Sequence, residues 1–147
     1  MYILFIVLMI VLFIVTSSSF AYQYYIDPIS LVILLLVAIP VLISTGLMKD
    51  FNNAFKLGLS KKKEGTIREV KRAIEAVALF QKVIITTGIV AFFLSAILVV
   101  IQKPRYEILM PSIAVALVAP LYAGVMALIL QPFEVSLKLR LQDMLHE

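Results

Sequence analysis

Few side chains in the apolar part of this chain could do chemistry: Thr86, Thr87, Ser95, Ser112 and Tyr122, with Ser44 and Thr45 near one edge. A hydroxyl carries two lone pairs and a proton, so a row of them could hand a proton or small cation across an apolar layer. Thr86 and Thr87 are adjacent and are the candidates for such an ion path. The plainer reading is that Ser and Thr bond back to a carbonyl of their own helix and conduct nothing. Nothing else suggests a reaction. Cysteine is absent, which removes disulfides and thiolate sites, and the single histidine, His146, sits at the C-terminal fringe. No His–Asp pairing, glycine-rich phosphate loop or metal-ligand spacing occurs, so no metal, cofactor or enzymatic activity is expected. All nine carboxylates lie outside the apolar stretches, with Asp27 and Glu107 at their border. If ions cross this protein, the titrating group must come from another chain.

Small residues give a second signal. Gly88, Ala91 and Ser95 share one helical face, and Ser112, Ala116, Ala119, Ala123 and Ala127 share another. Such stripes let helices approach closely where no hydrophobic force drives them together. Two stripes exceed what this chain needs for its own packing, so Gly88, Ser95, Ala116 and Ala123 are expected to face the interior of an oligomer or a guest helix. Pro120 lies between them; it lacks an N–H and so leaves the Ala116 carbonyl without its helical donor.

The elements that carry these residues follow from hydropathy. With 63% hydrophobic residues and a mean hydropathy of +1.07, the chain lies outside the range of soluble domains. Four apolar stretches, at about 2–20, 29–48, 83–101 and 108–130, hold no charged residue and no histidine. Each is close to the roughly 20 residues that a helix needs to cross the hydrocarbon layer. The expectation is an all-α membrane protein of four transmembrane helices, with no room for a separate enzymatic domain. Ser19-Phe20-Ala21 could be read as a cleavage site, but no basic residue precedes the first stretch, and it is taken as a retained span.

Orientation comes from the basic residues. Of the thirteen, nine lie in 49–82 (Lys49, Lys56, Lys61, Lys62, Lys63, Arg68, Lys71, Arg72 and Lys82), and Lys138 and Arg140 follow in the tail 131–147. Only Lys103 and Arg105 flank the opposite side. The long loop and both termini are therefore expected in the cytoplasm. The net charge of +4 belongs to this asymmetry and to contact with anionic lipid, not to nucleic acid. Lys61, Lys62, Lys63, Arg68, Lys71 and Arg72 are equally candidates for contact with a cytoplasmic rotor or another acidic partner.

Local signals refine the pattern. Pro40 falls inside the second stretch and removes one helical bond there. The segment 58–65 reads as a polar break. Thr66-Ile67-Arg68-Glu69 fits a capping box, after which apolar residues recur at helical spacing with no breaker before Gly88. One helix is expected over 66–101, the third span extended into a cytoplasmic helix. In the tail, Leu137, Leu139 and Leu141 alternate as in a strand. Leu137, Leu141, Met144 and Leu145 also share a helical face, and the helix is preferred because a strand there has no partner.

Several words in the sequence resemble the MotA/TolQ/ExbB proton-channel family, and most closely its flagellar stator branch in a short form. Tyr25-Ile26-Asp27-Pro28-Ile29-Ser30-Leu31 is similar to the Ile-Asp-x-x-Ser-Leu that opens the family's second span. Thr86-Thr87-Gly88-Ile89-Val90-Ala91 corresponds to its glycine-rich third helix. Ala114-Val115-Ala116-Leu117, Leu121-Tyr122, and Pro132 with Leu137-Lys138 match the fourth. The resemblance implies a multi-pass protein of the bacterial inner membrane. It implies that five copies surround a single-span partner of the MotB/ExbD/TolR type, whose Asp carries the proton or sodium ion. The driven process would be motility or similar mechanical work. Ala91-Phe92 stands where the family has Gly-Thr, and Ala119-Pro120 where it often has Thr. A second expectation therefore stays open: a scaffold that assembles without moving ions. A small transporter with its own substrate site fits worse, for want of a buried charge or an inverted repeat.

Overall fold

The computed structural model describes residues 28–59, 65–102 and 105–146. The stretch at 2–20, and Lys61, Lys62 and Lys63, lie outside the described residues. Among the described residues every regular element is an α-helix: α1 (Pro28–Ser44), α2 (Met48–Leu59), α3 (Ile67–Gln102), α4 (Tyr106–Ala116) and α5 (Val118–His146). Two are long and apolar enough to cross a membrane: α3, and the run Glu107–His146 formed by α4 and α5. A third is counted if α1 and α2 together make one broken span.

α3 is the axis of the fold, and its start is the expected capping box. The Thr66 N–H donates to Glu69 Oε2 at 2.8 Å, and the Glu69 N–H donates to Thr66 Oγ1 at 3.3 Å. Each side chain thus satisfies a backbone donor that the first turn leaves without a carbonyl. Gly65, at φ 109°, supplies the turn into the cap. With 36 residues, α3 rises about 54 Å, well beyond the hydrocarbon thickness of about 30 Å.

The stretch 29–48 is not one helix. α1 passes through Pro40 and stops at Ser44, where Gly46 adopts φ 70°. The Leu47 N–H reaches back to the Leu42 carbonyl and the Gly46 N–H to the Ile43 carbonyl, both at 3.0 Å. That bonding pattern closes a helix around a left-handed residue, a conformation glycine adopts without strain. The chain then turns through 102° into α2. Hydropathy overran this boundary because Leu47 and Met48 beyond the turn are themselves apolar. The segment 49–82, read as a loop leading into the extended helix, instead opens with a twelve-residue helix.

Proline also explains the interruption near residue 117. Pro120 has no N–H for the Ala116 carbonyl, and α4 ends there. The Leu117 N–H is shared between the Ile113 and Ala114 carbonyls at 3.2 Å, and Leu121 bonds to Leu117. The helical path is therefore loosened for a turn and then resumes. α5 continues through Pro132 to His146, so the tail is a helix, with Leu137 buried and Leu141 and Met144 packed on the core.

The core occupies one half of the molecule. It joins Leu34, Ala38 and Leu42 of α1, Ala54 of α2, Val70 through Ile84 on α3, and Ala123, Leu130 and Leu137 of α5. α3 and α5 make the largest contact, with α2 and α1 laid against α3. Above Gly88 no residue of α3 is buried.

Candidate helix-packing and ion-path site

α3 and α5 approach each other closely at Gly88. A Cβ placed on it would lie 2.6 Å from Ala123 Cβ, 3.2 Å from Pro120 Cα and 3.3 Å from the Ala119 carbonyl oxygen. Only a hydrogen fits. Ala116, Ala119, Ala123 and Ala127 are all buried, while Ala91, Ser95 and Ser112 are half-buried. Gly88 and Ala123 face each other inside the chain, and Ala116 is likewise covered. The two stripes meet within the chain's own hairpin, where the Ala123 Cβ and the Pro120 and Ala119 backbone lie against Gly88. Of the residues singled out for outside packing, Ser95 lies clear of this contact, two turns further along α3.

The hydroxyls of the apolar stretches largely turn back on their own helices. Thr86 Oγ1 donates to the Lys82 carbonyl and Ser112 Oγ to the Ile108 carbonyl, both at 2.8 Å. Ser44 and Thr45 both donate to Val41 at 2.9 Å. Thr86 nonetheless remains exposed, and its oxygen keeps lone pairs for a cation after its proton is committed. Thr87 is half-buried beside Gly88. Ser30 is the one buried polar residue among the described ones, at the start of α1. Gln81 buries its amide nitrogen with no acceptor at the foot of the apolar half of α3. An orphan donor of that kind costs about 1–3 kcal/mol until something accepts from it. Among the described residues no cluster of metal-ligating side chains occurs.

The polar half is better connected than its sequence suggested. Asp50 on α2 pairs with Arg72 on α3 at 3.2 Å, so Arg72 is engaged within the chain while Arg68 and Lys71 are exposed. At the other end of α2, Arg140 Nη1 donates to the Leu57 carbonyl at 2.7 Å, meeting one of the acceptors that a helix end leaves open. Between these ties, Phe51 lies 4.6 Å from Phe80, and Phe55 meets Phe133 edge-on at 5.3 Å. Gly58 makes room for the Phe133 ring. The signal for α2 was present: Phe51, Ala54, Phe55 and Gly58 recur at helical spacing opposite Lys49, Asn52, Asn53 and Lys56. No family model, curated protein or solved structure matches the chain.

Proposed function

We propose that this chain is the channel-scaffold subunit of an ion-driven, stator-like membrane complex of the MotA/TolQ/ExbB type. In this reading several copies, five by the resemblance, surround a single-span partner that carries the titrating Asp. The protein sits in the bacterial inner membrane with four spans and both termini in the cytoplasm. The observation that carries the reading is the upper half of the hairpin. From Ile89 to Ile101 and from Ile108 to Val115 the helices bear no titratable group, and they expose Phe93 at 59%, Leu98 at 57% and Ile108 at 56%. Such a surface is stable only against lipid or other helices. It offers a neutral apolar wall and leaves the charge-carrying step to a foreign group.

The small residues lock α3 to α5 at Gly88, which fixes the spacing of the wall, and partners meet the larger side chains above it. Thr86 and Thr87 stand at the lower end of that wall as ion-path candidates. Co-expression with a single-span protein bearing an Asp early in its apolar segment, followed by native mass spectrometry in nanodiscs, tests the assignment. A complex with more copies of this chain than of the partner is expected. A strictly monomeric chain with no foreign helix would contradict it.

The non-conducting scaffold remains the second reading, favoured by one observation. The Thr86 hydroxyl proton is already donated to the Lys82 carbonyl. A path that must relay protons through that hydroxyl would first have to break this bond.

A further inference from the structure

α2 has two unlike faces. Phe51, Ala54, Phe55 and Gly58 form one, taken up by Phe80 and Phe133 of the bundle. Lys49, Asn52, Asn53 and Lys56 form the other, at the i, i+3, i+4, i+7 spacing of a helix face, and all four are exposed. The acid of this helix, Asp50, is drawn to Arg72, with its side chain only 16% exposed. Among the described residues neither lysine is paired with a carboxylate. The face is therefore a cationic strip flanked by amide donors.

Its height in the molecule is set by what it packs on. Phe80 precedes Lys82, and Phe133 precedes Glu134, the charged residues at which the apolar runs of α3 and α5 end. At 1.5 Å per residue, Phe80 lies about 3 Å below Lys82. α2 thus touches the level where apolar helix gives way to charge, which in a bilayer is the headgroup layer, and reaches below it where Asp50 meets Arg72 and Arg140 meets Leu57. The 102° turn sets it across the direction of α1.

We propose that the exposed face of α2 binds the phosphates of anionic phospholipid headgroups, with Lys49 and Lys56 supplying charge and Asn52 and Asn53 supplying amide hydrogens. The two lysines are about 10 Å apart along the axis, far enough for each to meet its own headgroup. A protein partner fits less well. Interfaces are anchored by aromatic or aliphatic side chains at their centre, and this face has none. The inference rests on the membrane placement proposed above and is independent of ion conduction.

The test uses the full chain in phosphatidylcholine nanodiscs doped with a minor fraction of carbene-generating lipid, either phosphatidylglycerol or phosphatidylcholine. Cross-links are mapped by mass spectrometry. Each lysine near an anionic surface is worth roughly a fivefold preference, and each meets its own headgroup, so the α2 peptide should take up about fivefold more of the anionic probe. Lys49→Gln with Lys56→Gln should abolish that preference, and Lys49→Arg with Lys56→Arg should keep it. Arg105→Gln, exposed at the opposite end of the hairpin, should leave it intact. Equal labelling by both probes, or a preference that survives the double Gln variant, would overturn the proposal. Flotation of the reconstituted chain with phosphatidylcholine vesicles separates the two levels. A chain that fails to float overturns both the membrane placement and this site, whereas one that floats without lipid preference overturns the site alone.

Discussion

The two halves of α3 belong to the same uninterrupted helix and have opposite surroundings. Below Gly88 it buries Val70, Ala73, Ile74, Ala76, Val77, Phe80 and Ile84 against α1, α2 and α5, as a soluble bundle would. Above Gly88 it buries nothing, although its residues are more apolar. In the lower half, hydrophobic burial, aromatic contacts and a cap hold a fixed structure. In the upper half the chain presents apolar surface and leaves its covering to the surroundings. The lesson is that burial, not hydropathy, divides the self-sufficient part of this protein from the part that leaves its apolar surface uncovered.

Substitutions on either side of Gly88 test that division. The largest effect is expected for Phe80→Ala, which removes a buried ring from the contact with Phe51 and should cost about 3–5 kcal/mol in the denaturation of the purified protein. A loss near zero would show that the lower half is not a packed core. Gly88→Val comes next, at about 1–3 kcal/mol. Its neighbours include the Pro120 and Ala119 backbone, which cannot swing aside as a side chain can. Its thermal midpoint should fall clearly below that of wild type, and the altered α3–α5 spacing should also reduce recovery of the oligomer.

Thr66→Ala removes the reciprocal cap and should cost about 1 kcal/mol, with faster hydrogen exchange confined to the first turns of α3. The smallest change in stability, within about 0.5 kcal/mol, is expected for Leu94→Ala, because that side chain is 59% exposed. Its effect should fall on recovery of the single-span partner. If Leu94→Ala destabilised the isolated chain as much as Phe80→Ala, the contrast between the halves would be lost.

How much of this was legible depended on whether the signal was local. The Thr66 and Glu69 side chains close the cap of their own helix, so the start of α3 could be read three residues at a time. The tail was legible because Leu137, Leu141 and Met144 share one helical face. The end of α1 was missed because apolar residues continue across the turn, and only the left-handed backbone at Gly46 marks it. α2 was hidden by its charge: Lys49, Asp50 and Lys56 made the segment look like a linker. The site suffered from distance in sequence. That Gly88 meets Ala123 depends on how two helices cross, and the stripe patterns alone fit a mate inside the chain as well as one outside it. Asp50 with Arg72, and Leu57 with Arg140, join residues that no spacing rule connects.

In the proposed reading this chain supplies a neutral wall and the ion-carrying group arrives on another helix. Ion uptake into vesicles, measured with this chain alone, with the proposed single-span partner, and with that partner's Asp changed to Asn, tests it directly. Uptake is expected only when the intact partner is present. Uptake by the chain alone, or uptake that survives loss of the partner's Asp, would contradict it.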